Sequence, residues 1–108
     1  MSIEITARHM NAPEAKEHAN DKAERLEELF PRIEHVHVVL SVEKHRCEAE
    51  FIVRAKNRIH VEASETQTDM IAAIDGAFDR TEKQLRKLRD KVQDHRVHTE
   101  EKVDEKII

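Results

Sequence analysis

An α+β domain of order β-α-β-β-β-α is predicted, a four-stranded mixed sheet with two helices packed on one face. Three observations carry the prediction. Two long stretches, 12–30 and 69–94, repeat their apolar residues at the period of a helix. Four shorter stretches alternate apolar and polar residues, the period of a half-buried strand. A helix separates the first two strands, which implies a parallel pair with a right-handed crossover, and short turns join the last three into an antiparallel meander.

The first strand spans Ser2 to Ala7, with Ile3, Ile5 and Ala7 on one side. Asn11 with Glu14 three residues on resembles a capping box, and Pro13 suits a first helical turn. The first helix is expected from about Ala12 to Phe30, with Ala12, Ala15, Ala19, Ala23, Leu26 and Phe30 as its apolar stripe. Small alanines let a helix approach a sheet closely, and Pro31 ends the segment. His35 to Glu43 is the second strand, with Val36, Val38, Leu40 and Val42 inward. A turn at Lys44-His45 leads to the third, Arg46 to Ala55, with Cys47, Ala49, Phe51, Val53 and Ala55 inward. Lys56-Asn57 is short enough for a hairpin, and Asn tolerates positive φ. The fourth strand is expected over Arg58 to Ser64, then a polar link Glu65 to Thr68 with Thr68 or Asp69 capping the long helix.

In the long helix, Ile71, Ile74, Ala77, Phe78, Leu85, Leu88 and Val92 form one stripe, with Thr81 filling the gap. Arg80, Lys83, Lys87 and Lys91 fall together on the other side with Gln84 beside them, a basic ridge facing solvent. Arg86 lies on a separate flank within i,i+4 reach of Glu82 and Asp90, the position of a solubilising pair partner. On the first helix, His18, Lys22 and Arg25 lie on one flank of the stripe. Residues 80–96 sum to +4 while the whole chain is −4, so everything else sums to −8. A basic ridge on an acidic protein points to a face oriented towards a polyanion.

Composition excludes several classes. At 108 residues the chain is one domain with a modest core, and 39% charged residues are compatible with folding because the apolar ones are periodic. One Cys allows no internal disulfide, which fits a reducing, cytoplasmic setting. The N-terminal residues have no long apolar stretch resembling a signal peptide, and no run suits a membrane span. One Gly argues against a glycine-built phosphate loop, and three Phe with no Trp or Tyr argue against base stacking. Eight histidines raise a metal site, but His35 and His37 lack a third ligand because the third strand stands between them and His60. Cys47, inward on a strand, reads as a small core residue. No nucleophile–base arrangement is legible, so no enzyme activity, metal, cofactor or small-molecule substrate is expected. Lys and Arg at helical spacing can track a phosphate backbone without aromatics or a pocket.

The stretches Val38-Val39-Leu40-Ser41-Val42-Glu43-Lys44, Val61-Glu62-Ala63-Ser64, Asp69-Met70-Ile71-Ala72-Ala73-Ile74-Asp75 and Arg80 through Lys87 resemble the ribosome hibernation-promoting factor family, also called ribosome-associated inhibitor A or protein Y. The likeness covers residues 1 to about 95, with Ile71 standing where the family commonly has Tyr. It implies the same β-α-β-β-β-α fold, and binding in the decoding channel of the small ribosomal subunit over the sites for messenger and transfer RNA. It implies RNA contacts by Lys22 and Arg25 on the first helix and by Arg80, Lys83, Gln84, Arg86, Lys87 and Lys91 on the second. Residues 1–95 would then form the ribosome-binding domain and 96–108 a flexible charged tail, as in short forms of the family. The partners implied are ribosomal RNA and proteins, the whole ribosome and the small basic ribosome modulation factor. With only four acids in its last twelve residues, the chain resembles members that promote ribosome pairing more than those with a long acidic tail. Outside that resemblance, a general double-stranded-RNA-binding module and a protein–protein regulator of a transcription factor remain open.

Overall fold

The computed structural model describes residues 2–8 and 10–97, with side chains as far as Asp90. The order is β1 (Ser2–Arg8), α1 (Pro13–Leu29), β2 (Ile33–Glu43), β3 (Arg46–Ala55), β4 (Ile59–Gln67) and α2 (Met70–Val97). The sheet order is β1-β2-β3-β4, parallel between β1 and β2 and antiparallel thereafter. The expected α+β class and mixed sheet are what the chain forms.

Both helices cover the same sheet face, α1 over β1 and β2 and α2 over β3 and β4. The inward strand residues Val36, Val38, Leu40, Ala49, Phe51, Val53 and Val61 meet Ala19, Ala23 and Leu26 of α1 and Ala73, Ile74, Ala77 and Phe78 of α2. Phe51 and Phe78 meet edge to face at 6.4 Å between centroids, the arrangement that the ring quadrupoles favour. Thr81 fits the apolar stripe because its hydroxyl donates to the Ala77 carbonyl at 2.8 Å, so its buried oxygen is paired. His18 reaches Asp75, Lys22 lies over Phe78 and Arg89 lies over Phe30, so the two helices run side by side in the same direction.

Several boundaries differ from the expectation. Ala12, not Asn11, flanks the start of α1, and no side chain caps it. Pro13 in the first turn has no N–H to satisfy, which lessens the need for a cap. At α2 the cap is Asp69, whose carboxylate accepts the Ala72 N–H at 2.9 Å. The link expected over 65–68 is mostly strand, because Glu65, Thr66 and Gln67 pair with Ala49, Glu48 and Cys47 of β3. Their polar composition hid a ladder that is satisfied by backbone groups alone. Helix α2 continues to Val97, past Asp94. Cys47 and Leu88 are only partly buried at the rim of the core, as is Ala12. The readings of residues 98–108 lie outside the described residues.

Candidate nucleic-acid interface

The ridge of α2 is set by two constraints on one helix. Leu85 is buried and Leu88 packs against the core, which holds the opposite side of the helix towards solvent. Lys83, Gln84 and Lys87 are exposed there, and among the described residues neither lysine has a carboxylate within ion-pair distance. Free ammonium groups at i and i+4 can each approach a separate phosphate without first leaving a protein partner.

The other predicted site residues are placed differently. Arg80 is exposed but its Nε lies 3.0 Å from Glu65 of β4. Gly76 makes that reach possible, since a Cβ there would stand 2.7 Å from the Glu65 Cγ. Arg86 is bonded to Glu82 one turn back, as the i,i+4 spacing suggests. Lys22 lies in the seam between the helices, its Nζ 3.7 Å from Asp75 and 4.7 Å from the Phe78 ring centre. His18 shares the Asp75 carboxylate at 2.7 Å. Arg25 is exposed on α1. Lys91 belongs to α2, but its side chain lies outside the described part.

The seven positions with described side chains do not merge into one patch. Arg80 points to β4, so the ridge occupies the α2 flank away from α1. At ~100° per residue, Asp75, Asp79, Glu82 and Asp90 form an acidic row along the seam, between the ridge and the cations of α1. Among the described residues of the set, Arg25, Lys83 and Lys87 have no carboxylate within ion-pair distance, whereas Lys22 lies beside Asp75.

On the outer sheet face, His35 and His37 have ring centroids 6.4 Å apart and are hydrogen-bonded to Ser2 and Thr6 of β1 at 2.6 and 2.9 Å. Among the described residues, no group of three or more His, Cys, Asp or Glu side chains is placed to hold a metal ion. No helix there is long and apolar enough to cross a membrane. Ile71, expected in the apolar stripe, is instead 37% exposed at the start of α2, a large apolar side chain left open among the described residues.

Residues 3–93 match the family described as Sigma 54 modulation protein / S30EA ribosomal protein. The chain belongs to this family. Within it, the ribosome hibernation promoting factor of Escherichia coli is 40% identical over 98 residues, covering 88% of this chain and 100% of the relative. That of Pseudomonas putida is 30% identical over 94 residues, covering 86% of this chain and 91% of the relative. The N-terminal domain of Thermus thermophilus Protein Y superposes with a TM-score of 0.68 at 30% identity, covering 78% of this chain and 94% of that one. A ribosomal subunit interface protein from Coxiella burnetii shares the fold, with a TM-score of 0.75 at 21% identity over 83% of this chain and 99% of that one. The S30EA-family match spans both helices and all four strands, so the ridge lies within the part of the chain that defines the family.

Proposed function

We propose that this protein is a ribosome hibernation factor, ribosome-associated and hence cytoplasmic, that occupies the decoding channel of the small subunit. The observation that carries the reading is the Lys83–Lys87 ridge, unpaired among the described residues, on an acidic chain whose relatives are named ribosome hibernation promoting factors. Lys83 and Lys87 hold phosphates of ribosomal RNA, with Gln84 and Lys91 extending the contact along the helix. Arg80 and Arg86 reach RNA by exchanging Glu65 and Glu82 for phosphate, and Lys22 and Arg25 add contacts from α1. Occupation excludes messenger and transfer RNA without a covalent step, so translation stays off in stationary phase or stress. Backbone contacts recognise the shape of folded RNA, which fits a chain poor in stacking aromatics. Ribosome pairing, with the small basic ribosome modulation factor, is the outcome assigned to bound subunits.

Co-sedimentation with purified small ribosomal subunits, with and without competing transfer RNA, tests the reading. Binding that transfer RNA displaces is the expected result. Equal affinity for generic duplex RNA would favour a general RNA-binding module, and absence of binding to either would favour a protein–protein regulator. A sucrose-gradient profile of ribosomes with the protein and the modulation factor should show more paired ribosomes, and dissolution of pairs would reverse that assignment.

A further inference from the structure

A second cationic surface lies on the outer face of the sheet, at the β3–β4 turn. Register places His35 opposite Arg54 and Arg54 opposite His60, so the three side chains cross the face in one row. The turn adds Lys56 and Arg58, and the turn after α1 adds Arg32. The two turns are tied together, because the Lys56 N–H donates to the Arg32 carbonyl at 3.0 Å. A shallow basin of about 510 Å³ lies among Glu34, Arg54, Lys56, Arg58 and His60. Among the described residues, Arg32, Arg54, Lys56 and Arg58 have no carboxylate within ion-pair distance, although Glu34 is a neighbour. His60 is turned to Glu62 at 2.8 Å. Glu62, opposite Ile52, borders the row, whereas Glu48 and Glu50 lie farther along the same face, towards Arg46.

Asn57 and Arg58 both have left-handed φ, 67° and 62°. Asn accepts that conformation readily, whereas an Arg is strained there and a Gly would not be. Lys44 at the β2–β3 turn is left-handed too, at 60°, so the conformation belongs to the tight hairpins. Ile59, Leu85 and Leu88 line one apolar hollow. The second half of α2 therefore lies over this turn, and Lys87 and the basin share one end of the molecule on opposite layers.

We infer that the Arg54–Lys56–Arg58 basin is a second contact for an RNA phosphate backbone, separate from the helix ridge. With the ridge on one layer and the basin on the other, the domain clamps two RNA segments rather than lying on one. The identity of that RNA as ribosomal rests on the function proposed above.

The test is a triple variant, Arg54→Gln with Lys56→Gln and Arg58→Gln, compared with Lys83→Glu plus Lys87→Glu and with the unmodified protein. Binding to purified Escherichia coli small ribosomal subunits is measured over a salt series at constant magnesium, with circular dichroism to check the fold. Loss of three phosphate contacts should make the slope of log affinity against log salt shallower by roughly 2 to 3. Hydroxyl-radical footprints should lose one protected rRNA segment and keep the others. Unchanged slope, affinity and footprint in the triple variant overturn the inference. If the ridge variant alone then fails to bind, the proposed function survives that loss. Failure of the unmodified protein to bind overturns both. Arg58→Gly separates charge from strain, because it should raise the melting temperature and weaken binding together. A raised melting temperature with unchanged affinity shows that the cation is no contact, and counts against the basin.

Discussion

The ridge of α2 and the basin at the β3–β4 turn are both cationic, yet they are built by different means. The ridge comes from one helix, where residues three and four apart share a flank whatever the helix packs against. The basin draws on the turn after α1, the end of β3 and the start of β4, which meet only because the strands pair in one register. A one-residue slip of β3 would turn Arg54 into the core and destroy the basin, while the ridge would keep its spacing. Sites on a single element are therefore robust to changes in the sheet, and sites across elements are not.

The largest effect should come from the ridge. Two charge-assisted contacts are worth ~1.5–3 kcal/mol each, so Lys83→Glu with Lys87→Glu should weaken small-subunit binding by about 100-fold or more. Both positions are exposed, so urea unfolding should show stability within roughly 0.5 kcal/mol per substitution of the parent. Native affinity in a natively folded double variant would remove the ridge from the interface.

Leu85→Ala strikes beneath both surfaces at once. Leu85 is 4% exposed and already borders a hollow of about 170 Å³, so part of the lost packing will not be refilled. Denaturant unfolding should report a loss of ~2–5 kcal/mol. A loss typical of a surface site would show that α2 is rotated from the packing described, and both surfaces would have to be redrawn.

Asp69→Ala acts farther away, on the start of the helix that bears the ridge. Removing the cap to Ala72 should cost ~0.5–2 kcal/mol in thermal or urea unfolding, with Asp69→Asn losing less. Equal stability of the Ala and parent proteins would show that water serves the Ala72 N–H as well. The smallest effect is expected from Arg86→Ala. Its guanidinium already serves Glu82, so RNA must displace a partner before using it. Subunit affinity should fall less than about 10-fold, the factor equivalent to ~1.4 kcal/mol. A loss as large as that of the lysine pair would mean that the Glu82 contact opens on binding and that the seam joins the ridge.

The strand and helix faces were legible because they need only a period along the chain. Alternation placed Val36, Val38, Leu40, Phe51 and Val53 inward, and the 3.6 period placed Lys83 and Lys87 outward. The end of β4 was not legible, since Glu65, Thr66 and Gln67 carry no apolar signal and their pairing with β3 is made by backbone groups. The start of α1 differs from its sequence pattern for a related reason. A capping-box pattern names a possible hydrogen bond, and here no side chain makes it.

Element order, the apolar faces and the net sign of each helix flank are thus properties of local spacing, and the sequence by itself determined them. Which cations remain available was decided only by the tertiary structure. Arg80 is met by Glu65, fifteen residues away and on another element, and Lys22 by Asp75, fifty-three residues away. Arg54, Lys56 and Arg58 meet no such partner among the described residues, and strand register brings them beside Arg32. The physical reason is that a charge acts over a few ångströms through space, and only folding sets those distances.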